Sequence, residues 1–256
     1  MAQSEEKFSV LGIGVNAVQI SGVVARMRDW IAQRGECRII AVTGMHGIME
    51  AHHDHAFKNI LNTSSLVVPD GMPLVWLARL KGNKLKRRVY GPELMTAFCE
   101  ISATKGYKHF LYGGAPGVAE KLAAELTSQY PGLVIAGTYS PPFRPLTAEE
   151  DKEVIRQISA AQPDVLWVGL STPKQEYWMN AHHKVLNVPV LVGVGAAFDI
   201  HSGLKKQAPA WMREHGLEWF FRLVQEPKRL WRRYVLYGGE FLFWVTLDLL
   251  GLRRFE

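Results

Sequence analysis

Cysteine is nearly absent from this chain: Cys37 and Cys99 are the only two in 256 residues. Two thiols so far apart support neither a disulfide framework nor a cysteine-based metal site. Long apolar runs are missing as well, since nothing approaches the ~20 consecutive apolar residues that cross a bilayer. Residues 1–7 are polar and mixed in charge, unlike a signal peptide. These absences make the cytoplasm the default location. Gly12-x-Gly14 lacks the helix-opening glycines of a dinucleotide fingerprint, which weakens a reading as an NAD enzyme. No internal repeat or low-complexity segment is present.

What is present suits one large α/β domain, or such a domain with an appendage: 48% of residues are hydrophobic and 21% charged. The net charge of +6 is unevenly spread. Arg79, Lys81, Lys84, Lys86, Arg87 and Arg88 lie close together without an acid between them. Arg222, Lys228, Arg229, Arg232 and Arg233 form a second cluster, opposed only by Glu226. Such clusters attract phosphates, on a nucleotide, a nucleic acid or an anionic membrane. Taken singly, each more often marks a solvated basic face.

Along the chain, apolar runs alternate with helical segments. Residues 8–13 and 17–20 read as a hairpin turning near Gly14 and Asn16, with Ser21 capping the helix that follows. Further strands are expected at 38–42, 66–69, 109–112, 133–138, 165–168 and 188–192. A helix broken near Asp54 ends at Asn62, and others cover 93–104, 118–129 and 172–184. Residues 88–92 read as a short strand or loop. Thr147 followed by Glu149 and Glu150 marks a capped helix start. Strands alternating with helices of this length predict a mainly parallel, doubly wound, Rossmann-like α/β sheet.

The stretch Leu66 to Pro73 organises the rest. An apolar strand ends at Asp70, Gly71 permits a sharp turn, and Pro73 suits a first helical turn. Asp70 therefore stands at the carboxyl end of a strand, where open α/β sheets bind ligands. It is either a helix cap or a base for a hydroxyl. Thr43, Gly113-Gly114, Ser171 to Gln175 and Gly193 to Asp199 also follow apolar runs, and five polar strand ends together predict a cleft. The Gly113-Gly114 turn could let a diphosphate approach the backbone, a weak signal alone. His52-His53-Asp54-His55 resembles a metal site, yet adjacent helical residues do not share a face, so no metal is expected there. Asp-x-Asp, a common metal–diphosphate clamp, occurs nowhere. Cations of the protein must then replace the metal, and arginine does so through its planar fork.

After Gly195 the pattern changes, and from Ala208 onward only helical signals occur. This tail holds 11 of the 27 aromatic residues. The expected division is a catalytic sheet domain over 1–207 and a helical appendage over 208–256. Interleaved Trp, Phe and Arg suit a helix lying in a lipid headgroup layer, with Trp231, Phe241, Phe243 and Trp244 against lipid. The same pattern suits a helix packed on its own domain or on a second copy in a homo-oligomer.

The motifs Pro69-Asp70-Gly71, Arg88-Val89-Tyr90-Gly91-Pro92, Thr172-Pro173-Lys174-Gln175-Glu176 and Gly193-Val194-Gly195-Ala196-Ala197-Phe198-Asp199 occur in that order. The tail adds Ala208-Pro209, Gly216-Leu217-Glu218-Trp219, Arg222-Leu223, Glu226-Pro227, Arg229 and Arg232-Arg233-Tyr234. Together they resemble the WecG/TagA/CpsF glycosyltransferases, most closely the branch with GumM-like exopolysaccharide enzymes, over about residues 8–234. That resemblance implies an inverting, metal-independent enzyme without a cofactor. It would move a sugar from a UDP-sugar to a polyprenyl-diphosphate-linked saccharide, working peripherally on the inner face of the cell membrane. It further implies Asp70 as catalytic base, with Thr43, Arg88 and Gln175 around the sugar and diphosphate. Asp199 would contact uridine, and Arg222, Arg229 and Arg232 would close over the site. Pro69 and Met72-Pro73 depart from the small residues common among relatives, leaving the sugar and acceptor open. The competing class is a basic, nonenzymatic membrane- or nucleic-acid-binding module. No nucleic-acid motif accompanies the cations, so nucleic acid is not expected as a partner.

Overall fold

A computed structural model describes residues 6–255. Most of residues 1–7, read above as no signal peptide, thus lie outside the described residues. Six parallel strands form the central sheet: β3 (Arg38–Thr43), β4 (Leu66–Pro69), β5 (Lys108–Gly113), β6 (Val134–Tyr139), β7 (Val165–Gly169) and β8 (Val190–Gly193). Their order is β4-β3-β8-β7-β5-β6. Side chains alternate along a strand, and both faces of these apolar strands are buried except at the edge strand β6, which is only half-buried. Ile40, Val42, Leu111, Trp167 and Val192 face α1 (Ile20–Gln33), α5 (Gly91–Lys105) and α6 (Val118–Gln129). The opposite face carries α2 (Met45–His53), α3 (His55–Thr63) and α4 (Met72–Leu80) over Ala41 and Val67. There α7 (Ala148–Ala161) and α8 (Lys174–His182) cover Phe110, Leu166 and Leu191. The expected doubly wound α/β sheet is what the chain builds.

Several local expectations hold for the stated reasons. Asp54 ends α2 and caps α3, its carboxylate accepting from the Ala56 and Phe57 amides. Thr147 and Glu150 form a reciprocal capping box at the start of α7. Others need correction. The hairpin of β1 (Lys7–Val10) and β2 (Ile13–Asn16) turns at Leu11-Gly12, earlier than expected, and residues 17–20 form no strand. Leu11 and Gly12 take positive φ, a tighter turn than the later polar residues would have made. Asn16 instead anchors β2 to the sheet, its side chain accepting from the Val67 amide at 2.9 Å. Ser21 does not cap α1, which begins at Ile20 without a side-chain cap. Residues 88–90 are loop, pinned to the sheet by the Val89 amide donating to the Pro69 carbonyl at 2.8 Å.

Beyond the sheet come α9 (Ala197–His201), α10 (Ala210–Glu214), α11 (Glu218–Gln225), α12 (Pro227–Trp231), a π turn (Arg232–Leu236) and α13 (Tyr237–Leu249). No strand occurs among the described tail residues, and no described helix is long and apolar enough to cross a membrane. Phe241, expected against lipid, is 2% exposed and packs with Phe57, Leu74 and Val75. Trp244 lies against His52, at 5.3 Å between ring centres, beneath the Arg253 guanidinium. Trp231 and Phe243 are exposed. Spacing alone could not orient α13; burial of Phe241 and Val245 does so.

Candidate active site

The carboxyl ends of β3, β4, β5, β7 and β8 open into one cleft of about 1550 Å³. Asp70 lies on its floor, immediately after β4. Its amide donates to the Thr43 carbonyl at 2.8 Å, continuing the β3–β4 pairing one residue past the strand. Gly44 permits this, because a Cβ there would meet the Asp70 carbonyl oxygen at 2.5 Å. Gly71, at φ 119, then turns the chain into α4 and occupies its cap position, and no side chain caps that helix. The Asp70 carboxylate is thus left to the cleft, where Arg88 Nη1 approaches Oδ1 at 3.8 Å.

Arg88 is held from three sides. Its Nη2 donates to Glu218 of α11, and its guanidinium lies 4.1 Å from the centre of the Tyr90 ring. Burial pushes the Asp70 carboxyl up to about 6, against the opposing pull of Arg88, while the Glu218 charge pushes further upward. A carboxylate so tuned is ionised at neutral pH yet more basic than a solvated aspartate.

Arg222, Arg229 and Arg233 reach the cleft from the tail; Arg232 does not line it. Leu230, Phe241 and Val245 are buried, Tyr237 packs against the same core as the last two, and Arg233 lies beside this stripe. Arg232 falls on the outer side and is exposed. Burial lowers Arg233 to about 10, with Arg222 and Arg229 acting in the same direction. The sequence pointed to Arg232 instead; burial of Leu230, Phe241 and Val245 is what turns Arg233 inward.

Gln175, at the start of α8, is buried and lines the cleft. Its Nε2 donates to Glu176 Oε1 at 2.9 Å, as does Thr172 Oγ1 at 3.0 Å. Thr43 is buried behind the cleft lining. Five buried polar atoms here have no hydrogen-bond partner among the described residues: Thr43 Oγ1, His46 Nδ1, Gln175 Oε1, Glu176 Oε2 and Arg233 Nε. Unpaired buried polar atoms are costly, and five around one corner mark a place for a polar ligand. Burial raises Glu176 from the usual carboxylate range, and burial with Arg233 lowers His46 to about 3. Nothing but the quoted motif pointed to Glu176 or Glu218, because neither follows a strand.

Other expected residues are placed as follows. Asp199 lines the cleft, but its carboxylate meets Lys205 Nζ at 2.8 Å, and Lys205 also reaches Glu226 at 3.4 Å. Gly114 lines the cleft, whereas Gly113 does not. At Gly113, φ 137, a Cβ would lie 2.6 Å from the Gly169 carbonyl, and the Gly114 amide donates to that same carbonyl at 3.1 Å. This turn therefore serves strand packing and keeps its amide from a phosphate. The histidine cluster disperses: His52 meets Trp244, His53 pairs with Glu240 at 2.7 Å, and Asp54 caps α3.

The site thus combines a raised carboxylate, a fan of arginines and a corner of unpaired polar atoms at strand ends. The profile of the glycosyl transferase WecG/TagA/CpsF family matches residues 8–255. This chain belongs to that family. One member, from Bacillus subtilis strain 168, is 33% identical over 180 residues, covering 70% of this chain and 68% of its own. Another, from Staphylococcus aureus strain MW2, is 28% identical over 227 residues, covering 88% and 87%. Both are N-acetylglucosaminyldiphosphoundecaprenol N-acetyl-beta-D-mannosaminyltransferases. As a WecG/TagA/CpsF member the chain is a glycosyltransferase, and the family match spans both the sheet and the helices that bring Glu218, Arg222, Arg229 and Arg233 to the cleft.

Proposed function

We propose that this glycosyltransferase moves a sugar, with inversion and without a metal, from a UDP-sugar to a polyprenyl-diphosphate-linked saccharide. The observation that carries the reading is Asp70 at about 6, facing a cleft lined by Arg88, Arg222, Arg229 and Arg233. Asp70 takes the proton of the acceptor hydroxyl as its oxygen attacks the anomeric carbon. The bond from that carbon to the diphosphate oxygen breaks, and UDP departs with the bonding electrons. The arginines stabilise the charge that develops on UDP, the role a divalent cation plays elsewhere. His46 and Gln175, which line the cleft, present unpaired atoms against which sugar hydroxyls would orient, with Thr43 and Glu176 buried behind them. The names of the relatives support N-acetylmannosamine as the transferred sugar and an N-acetylglucosaminyl diphosphopolyprenol as acceptor.

The helices after residue 207 are assigned two roles: completing the site and holding the enzyme peripherally at the membrane's inner face, in bacterial surface or exopolysaccharide synthesis. Exposed Trp231, Phe243, Leu250 and Leu252 support the second role. The test is UDP release from a panel of UDP-sugars with a polyprenyl-diphosphate saccharide, with EDTA present. Acceptor-dependent release with one N-acetylhexosamine donor is expected. Release only with another nucleotide sugar, or only with a divalent ion, overturns the reading.

A further inference from the structure

The catalytic cleft has two ends of opposite character. Near Asp70 it is polar and cationic, but away from it the lining passes to Trp76 and Leu80 of α4 and to Leu242 and Leu249 of α13. These four are 48%, 71%, 67% and 47% exposed, although each lines a cleft. Large apolar side chains lining an open cleft mark a surface that an apolar partner covers.

The two helices form the walls of a groove that leads out from the chemistry. α4 begins two residues after Asp70, and α13 begins four residues after Arg233. Their far ends are tied together, with Lys81 Nζ 2.7 Å from Asp248 Oδ2 and donating to the Ser9 carbonyl at 2.9 Å. Trp76 and Leu80 lie at i, i+4, while Leu242 and Leu249 lie at i, i+7, so each pair shares one helix face. Between them, buried Leu77 and Val245 also line the cleft. Nearby cations are engaged elsewhere: Lys81 by Asp248, and Arg79 by the carbonyls of Leu85 and Lys86 at 2.9 and 2.6 Å. What remains is an uncharged trough about 12 Å long, from the eight-residue span between Met72 and Leu80.

We propose that this groove holds the first isoprene units of a single polyprenyl chain, threading the acceptor's lipid away from Asp70. The inference rests on the polyprenyl-diphosphate acceptor read above, and it assigns that acceptor's lipid a binding site. A bilayer cannot enter a cleft, whereas one extended chain can. At roughly 5 Å per unit, set by C–C bonds of about 1.5 Å, the trough takes about two isoprene units. The arginines at the inner end complement a diphosphate head, which a fatty acid or free alkane lacks.

The test uses the intact chain, without membranes, in calorimetric titrations with dimethylallyl, geranyl, farnesyl and geranylgeranyl diphosphates below their micellar concentrations. Affinity should rise at least ~tenfold from dimethylallyl to geranyl and then level off by farnesyl, where the groove ends. Leu80→Ser and Leu242→Ser, both at exposed positions, should flatten that rise while leaving UDP and inorganic diphosphate affinity unchanged. With a lipid-linked acceptor the same variants should raise its KM several-fold at unaltered kcat. A flat series, a gain that continues undiminished through the longest chain, or variants that keep the rise would each overturn the proposal. A chain-length rise that levels off, without transfer to any polyprenyl-diphosphate saccharide, would uphold the groove and sink the acceptor reading instead.

Discussion

Arg88 is shared between Glu218, which accepts a hydrogen bond from Nη2, and Asp70, whose Oδ1 lies 3.8 Å from Nη1. The tail thus sets the position of the cation that faces the base. Glu218→Gln removes a negative charge that raises Asp70 and frees Arg88 to move toward it. Both changes lower the Asp70 pKa, so the acidic limb of the kcat/KM profile should shift to lower pH. A limb that stays in place would mean that Asp70 does not produce it.

Asp70→Asn keeps the shape and removes the proton acceptor. Transfer should fall at least ~10²-fold while UDP still binds in calorimetry. A folded-state pKa of about 6 lies above the ordinary aspartate value, so the native state binds the extra proton between them. Stability is therefore lost as pH rises through that window, and the asparagine variant should melt no lower than the parent at pH 7.5. Near-normal turnover would make Asp70 a structural residue.

The tail arginines separate by placement. Arg233→Ala should cost kcat/KM ~tenfold or more, about 1.4 kcal/mol, because a buried cation is lost from the cleft. Arg232→Ala should change it by less than ~2-fold at an exposed position outside the cleft. Steady-state kinetics of the two variants, with UDP affinity beside them, decides the matter. The reverse ranking would restore Arg232, the residue that the family resemblance implied.

α13 is part of the core as well as the cleft wall. Phe241→Ala should destabilise by ~3–5 kcal/mol and lower Tm by roughly 10 °C, with liposome co-sedimentation unchanged. Phe243→Ser, exposed beside it, should do the opposite: weaker liposome binding at an unaltered Tm. If Phe241→Ala left Tm untouched, α13 would not be docked on α2 in solution.

EDTA should leave transfer largely unaffected, measured as UDP release with added chelator. Activity lost in EDTA and restored by one divalent ion would require a metal where arginines are proposed to act.

The sheet was legible from the sequence because each strand is a short apolar run bounded by turn residues, and buried parallel strands require such runs on both faces. Asp70 was legible for the same reason: a polar residue directly after such a run projects from the carboxyl edge. The sequence alone also showed basic clusters without an Asp-x-Asp clamp, and the structure brings Arg88 and Arg222 from those clusters to the cleft. Only the tertiary structure decided which arginine enters. Arg229, Arg232 and Arg233 share a helical face loosely, and burial of Leu230, Phe241 and Val245 turned Arg233 inward. It likewise decided that the Gly113-Gly114 turn serves the Gly169 carbonyl, that Glu218 holds Arg88, and that α4 and α13 enclose an apolar groove. Residues 130 positions apart meet through packing of whole elements, a long-range outcome that local periodicity does not encode.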